Sequence, residues 1–183
     1  SALAPLDYRY ALDAAMPLLA RAQAPLLLCR VPQLATPLGP DSTARPSDVA
    51  LWIEPLADTW PADLALLTAH LAINGQLFLV LSRPLAAILP QHRSWGIRAL
   101  GTQLGGMRRL RGALSRAGFS LEACYGMHTV VAMGLNLMSQ QLERWGHPDL
   151  GDRLHFAARL RYCADGPLAA LSTVTLLVAT RVS

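Results

Sequence analysis

The chain has no lysine. All 16 of its basic residues are arginine, set against 12 acidic ones for a net charge of +4. Together with the abundance of Ala, Leu, Pro and Gly, this points to codon bias in a GC-rich bacterial genome more than to a protein built for nucleic acid. Guanidinium groups suit phosphate, but single-strand binders interleave aromatic platforms with their cations. Aromatic residues make up only 6% of this chain, and no nucleic-acid partner is expected. Charged residues amount to 15% and hydrophobic ones to 52%, a balance that argues against disorder.

Cysteine is scarce as well. Cys29, Cys124 and Cys163 are odd in number and far apart, without a Cys-x-x-Cys pair. That excludes a disulfide framework and a zinc knuckle, fits a reducing, cytoplasmic setting, and leaves the thiols as small buried apolar residues. The five histidines, His70, His92, His128, His147 and His155, have no ligand spacing, so no metal is expected. Long hydrophobic runs are missing. The cleanest, Leu77 to Leu81 and Val174 to Ala179, are strand-sized and far short of the ~20 residues of a membrane span. The chain opens without a basic region and a long apolar core, so no signal peptide is expected. Neither G-x-G-x-x-G, a P-loop, a G-x-S-x-G elbow nor H-E-x-x-H occurs.

What the chain does contain is alternation between helix and strand. At 183 residues it suits one domain, 1–183, with a full core. Asp7 caps a helix over Tyr8 to Ala22, and Ala24 to Val31 is short and apolar enough for a buried strand. Pro32 to Ser47, with four prolines, is a loop. Asp48 to Ile53 is the next strand. A helix then starts at Pro61, capped by Thr59 or Trp60, with Leu64, Leu67 and Leu71 as its apolar stripe. Asn74-Gly75 ends it in the left-handed conformation, and Gln76 to Leu81 is a strand. Strand, helix and strand within about thirty residues form a βαβ unit, which implies a parallel sheet covered by helices. Further on come a helix over Gly106 to Ala117, with Gly105-Gly106 as its hinge and Met107, Leu110, Leu114 and Ala117 facing inward, and a strand over Phe119 to Tyr125. A helix from a Thr129 cap to Trp145 follows, with Val131, Leu135, Met138, Leu142 and Trp145 as a core-facing stripe. Another helix is capped by Asp149, and Ser172 to Val182 is a β-branched strand.

The order of these segments resembles the carboxyl-terminal two-thirds of a class I S-adenosylmethionine-dependent methyltransferase, over about Tyr8 to Arg181. "DVALWIEPLA" is similar to the fourth strand of that family and its loop, and "INGQLFLVLS" to the turn and fifth strand. "LRGALSRAGFSLEACYG" is similar to the helix leading into the sixth strand, and "STVTLLVATR" to the seventh, antiparallel strand. The resemblance implies an α/β fold with a Rossmann-like, mostly parallel sheet of about five strands, the last antiparallel. The glycine-rich loop that holds the cofactor has no counterpart, nor has the acidic residue that would bind the cofactor ribose one strand later. On this alignment Ala24 to Val31 is the third strand, and the first strands are missing.

Ligands of such sheets sit beyond the carboxyl ends of the parallel strands. The residues there, with the loop above them, are Glu54, Asp58, Trp60, Arg83, His92, Trp95 and His128. They are placed to line a substrate pocket, where a carboxylate and a histidine suit proton abstraction from a methyl acceptor. The resemblance implies a methyltransferase-like protein with a degenerate cofactor site and S-adenosylmethionine as its only cofactor. The other reading is a non-catalytic protein-interaction or ligand-binding derivative of that fold. Losing strands from one half of the sheet leaves an edge at Ala24 to Val31 or Asp48 to Ile53 and helix faces without neighbours. A homodimer or a partner protein is therefore expected, through the helices Tyr8 to Ala22 and Val131 to Trp145. A crossover within Pro32 to Ser47 is also long enough to bring Ala24 to Val31 beside Asp48 to Ile53.

Overall fold

Alternating apolar residues give the central strands two greasy faces, and the sheet buries both. The computed structural model describes residues 26–29, 46–88, 98–161, 163, 164, 169 and 171–183. The helix expected over Tyr8 to Ala22 and most of the Pro32 to Ser47 loop lie outside them. The strands are β1 (Leu26–Cys29), β2 (Ser47–Ile53), β3 (Leu71–Ser82), β4 (Phe119–Thr129), the two-residue β5 (Cys163–Ala164) and β6 (Ser172–Arg181). They form one sheet in the order β1-β2-β3-β6-β4-β5.

β1, β2 and β3 are mutually parallel, and β6 runs antiparallel to both of its neighbours, β3 and β4. β4 therefore shares the direction of β1 to β3. The sheet is α/β in type and mostly parallel, with an antiparallel last strand, as the resemblance implies. That last strand lies inside the sheet. β1 pairs directly with β2, Leu26 opposite Ala50 and Cys29 opposite Ile53. β2 is thus paired on both sides, and the open edge expected at Asp48 to Ile53 does not exist.

On one face Trp52, Leu77, Leu79, Leu81 and Leu177 form a core with residues of two helices, α1 (Trp60–His70) and α2 (Gly106–Arg116). Leu64, Leu67 and Leu71 are all buried, as are Leu110 and Leu114, so both stripes face inward as their spacing predicts. On the other face Leu51, Ile53, Phe78, Val80, Met127 and Val174 pack together. No helix among the described residues contributes to that cluster.

Several boundaries differ from expectation; β4, for one, runs on to Thr129 where Tyr125 was expected. α1 stops at His70, because Leu71 is already extended and starts β3. Asn74, not Gly75, takes the left-handed conformation, at φ 65°. It lies where the β2–β3 register slips between Ser47/Leu71 and Val49/Gln76, so the turn chemistry makes an irregularity in a long strand instead of a helix end. The last helix begins at Pro148 after His147, not after an Asp149 cap, since Pro is pre-set for the first helical turn.

Two helices, α3 (Val130–Arg144) and α4 (Pro148–Leu160), form a hairpin beyond β4. Thr129 caps α3 by accepting from the Ala132 amide at 3.2 Å. Its stripe does not face a core: Val131, Met138 and Trp145 are 53%, 58% and 67% exposed. The residues buried in the hairpin are the small ones, Ala132, Ser139, Gly151 and Ala158.

Candidate functional site

The carboxyl ends of β2, β3 and β4 come to one edge of the sheet. Because β6 is antiparallel, its first residues arrive there too. Glu54 follows β2 directly and continues the ladder, its amide donating to the Val80 carbonyl at 2.8 Å. Its side chain is wholly buried. The Ser82 hydroxyl donates to Oε2 at 2.7 Å, and the Ser82 amide reaches the same oxygen at 3.1 Å. Burial raises the Glu54 pKa from 4.5 to about 7, and the two Ser82 bonds only partly oppose the shift.

A short segment pairs with the chain just after Glu54. Leu56 bridges to Ala99, and the Leu100 amide donates to the Pro55 carbonyl at 2.8 Å. Gly101 presses on the end of β3: a Cβ there would lie 2.0 Å from the Ser82 carbonyl oxygen. Gly106 packs as tightly, since its Cβ would meet the Leu100 carbonyl at 1.8 Å. The Gly105-Gly106 hinge expected at the start of α2 is therefore a close-packing device, with Gly105 at φ 70° before the helix.

Arg83 stands next along the edge. Its amide donates to the Thr173 carbonyl at 2.7 Å and its Nε to the Thr175 hydroxyl at 2.6 Å. Half-burial lowers its pKa; Cys124 opposes this, and the like charge of Arg111 adds to the lowering. His128, at the end of β4, shares a 3.1 Å hydrogen bond with the Thr173 hydroxyl. Glu54 and His128 are both non-glycine residues at positive φ, 51° and 56°. Backbone strain of this kind gathers at functional sites. Glu54, Ser82, Arg83, Thr173 and His128 thus form one line across β2, β3, β6 and β4.

The other candidates stand apart. Asp58 is exposed and paired with Arg98 at 2.8 Å, a bond that lowers its pKa. Trp60 lies on the α1–α2 side, in a groove of about 710 Å³ with Arg108, Arg109, Arg111 and Arg116. His92 and Trp95 lie outside the described residues. Arg83 borders a cleft of about 370 Å³ lined also by Gly101, Leu104, Gly105, Met107, Arg108 and Arg111. Among the described residues none of Arg83, Arg108 and Arg111 is in an ion pair; the ion pair there is Arg98–Asp58. Glu54 does not line that cleft.

The strand-end rule located Glu54, Arg83 and His128. It missed Thr173 and Thr175, which the hydroxyl-rich start of "STVT" signals once that strand is known to run the other way. Among the described residues no group of three His, Cys, Asp or Glu is placed to hold a metal ion. Nor is any helix among them long and apolar enough to cross a membrane. Cys29 and Cys124 are half-buried, but Cys163 is exposed in β5, against the buried role expected for all three.

No protein-family profile matches the chain, and no curated protein matches it in sequence. Solved structures similar to it include a mycolic acid cyclopropane synthase, CmaA1, complexed with SAH and CTAB, at 16% identity and TM-score 0.36 over 74% of this chain. The cyclopropane synthase MmaA2 from Mycobacterium tuberculosis is similar at 16% identity and TM-score 0.37, also over 74%. YjhP from E. coli is similar at 15% identity and TM-score 0.31. The chain spans 56%, 56% and 58% of these three.

Proposed function

We propose that the chain is an S-adenosylmethionine-dependent methyltransferase-like protein whose cofactor site is degenerate, and that its strand-end cleft holds an anionic small molecule. The observation that carries this reading is the meeting of Arg83, Arg108 and Arg111 around one cleft, with none of them in an ion pair among the described residues. Like charges so placed repel, and a bound carboxylate or phosphate relieves that repulsion. Arg83 is held by Thr175, so its guanidinium is oriented before a ligand arrives. The amino end of α2 adds positive potential on the same side. Met107 and the fully exposed Leu104 give an apolar body something to lie against.

The residues do not fit S-adenosylmethionine. Its ribose calls for an open carboxylate at a strand end. Glu54 is wholly buried and bound by Ser82, and Asp58 is held by Arg98. The sequence supplies no G-x-G loop, and no methyl-transfer step is assigned. The enzymatic reading rests on Glu54, whose pKa of about 7 suits a general base. Its complete burial keeps it from touching a substrate.

Calorimetry separates the two readings. S-adenosylmethionine and S-adenosylhomocysteine should give no saturable heat below about millimolar concentration. Citrate and inorganic pyrophosphate should bind, at least tenfold more weakly to Arg83→Gln than to the wild type. Micromolar binding of S-adenosylmethionine would restore the enzyme reading. Equal binding of the anions to both proteins would remove the cleft from consideration.

A further inference from the structure

The outer side of α2 is a fan of cations. Arg108, Arg109, Arg111 and Arg116 are all exposed, and among the described residues none of them is in an ion pair. With Trp60, at the start of α1, and Gly112 they line the groove of about 710 Å³. That volume is in the range of small-molecule sites, and no carboxylate lines it. Like charges one helical turn apart repel, so the empty groove is electrostatically costly.

Gly112 stands at the centre of the fan. Arg108 and Arg116 lie four residues before and after it and Arg109 three before, so all three are its neighbours on the helix surface. Glycine inside a helix is unfavourable relative to alanine. Gly101 and Gly106 are required by close packing, but Gly112 is not. Among the described residues a Cβ there would meet the Arg116 Nη1 at 3.5 Å, an ordinary van der Waals contact, and nothing nearer. The fold would accept a side chain at this position, and the groove is open over the helix backbone because there is none. The same contact sets the Arg116 guanidinium above that opening. Trp60 is half-buried: it packs against the core cluster and also lines the groove.

We propose that this groove binds a nucleoside triphosphate, the base against Trp60 and the phosphates among the arginines over Gly112. Guanidinium groups pair bidentately with phosphate oxygens, and a nucleobase stacks on an indole whatever its edge pattern. Without a carboxylate in the groove, the arginines neutralise the phosphates and no magnesium ion is required. From Arg108 to Arg116 the fan extends about 12 Å along the helix, enough for one nucleotide and short for a polymer. The site does not rest on the Arg83 cleft, although Arg108 and Arg111 border both.

The test is calorimetry on the full chain in EDTA. Adenosine triphosphate should bind saturably, with Kd below about 100 µM at roughly 50 mM salt. Inorganic tripolyphosphate has no ring to stack and should bind at least fivefold more weakly. In Trp60→Leu, which keeps an apolar side chain against the core, the two ligands should bind alike. Gly112→Leu puts a better helix former in α2, so its Tm should equal or exceed that of the wild type while its affinity for adenosine triphosphate falls at least tenfold. Neither Trp60 nor Gly112 lines the Arg83 cleft, so these two effects locate the ligand. Absence of saturable binding overturns the proposal. So does a Gly112→Leu protein that binds like the wild type, or tripolyphosphate that matches adenosine triphosphate on the wild type. Oligothymidylate that binds more tightly the longer it is would also overturn it, giving the fan to single-stranded nucleic acid instead.

Discussion

Glu54 sets the pH dependence of this fold. Its carboxyl titrates at about 7 in the folded chain against 4.5 ordinarily. The folded state therefore holds a proton that the unfolded state has released between those values. The contribution to stability is complete below the lower pKa and is lost as pH rises through the upper one. The gap amounts to about 3 kcal/mol. Glu54→Gln keeps the shape and the acceptor for Ser82 without the ionisation. Between about pH 5 and pH 8 the wild-type Tm should fall by roughly 5–10 °C relative to that of the variant. Parallel melting curves would show that Glu54 does not titrate as its burial requires. Gly101 is the second sensitive residue. A Cβ 2.0 Å from the Ser82 carbonyl has no room, and Gly101→Ala should cost about 2–4 kcal/mol, read by urea denaturation. A loss under ~0.5 kcal/mol would mean that the segment it belongs to shifts freely.

At the scale of elements, legibility depended on what each pattern specifies. β3 and β6 were readable because apolar, β-branched runs of strand length have few other uses. The stripes of α1 and α2 were readable because Leu64, Leu67, Leu110 and Leu114 had a sheet to meet. The stripe of α3 has the same period, yet Val131, Met138 and Trp145 are exposed. Periodicity specifies that an apolar face exists and says nothing of what covers it. The site was half legible for a similar reason. The strand-end rule finds Glu54, Arg83 and His128, whereas Thr173, Thr175 and Arg98 come in through register and loop pairing, which are tertiary. Thr129 tests the hairpin itself. It caps α3 and ties to the Arg161 carbonyl, so Thr129→Ala should cost about 1–2 kcal/mol, read from chemical denaturation. A variant as stable as the wild type would show that the hairpin holds without its tie.

Across the whole molecule, stability is not evenly shared. β3 and β6 pair over seven residues, from Gln76–Thr180 to Ser82–Val174, and their buried Leu79, Leu81 and Leu177 anchor a core with α1 and α2. The hairpin buries only four small residues in its own seam. Native-state hydrogen exchange should find α3 and α4 opening at a free energy several kcal/mol below that of β3 and β6. Equal protection would mean that the hairpin and the sheet are one cooperative unit. The position of β6 has a consequence for how the chain is made. It lies between β3 and β4, so until Ser172 to Arg181 have been synthesised the two sides of the sheet have no strand to join them. At roughly 5–20 residues per second on the ribosome, β1 to β3 wait several seconds with the inner edge of β3 bare. Closure is then a late insertion of high sequence separation, which is slow. Any chain that ended before Ser172 would hold two half-sheets, each presenting a sticky edge to the cell's proteases and chaperones.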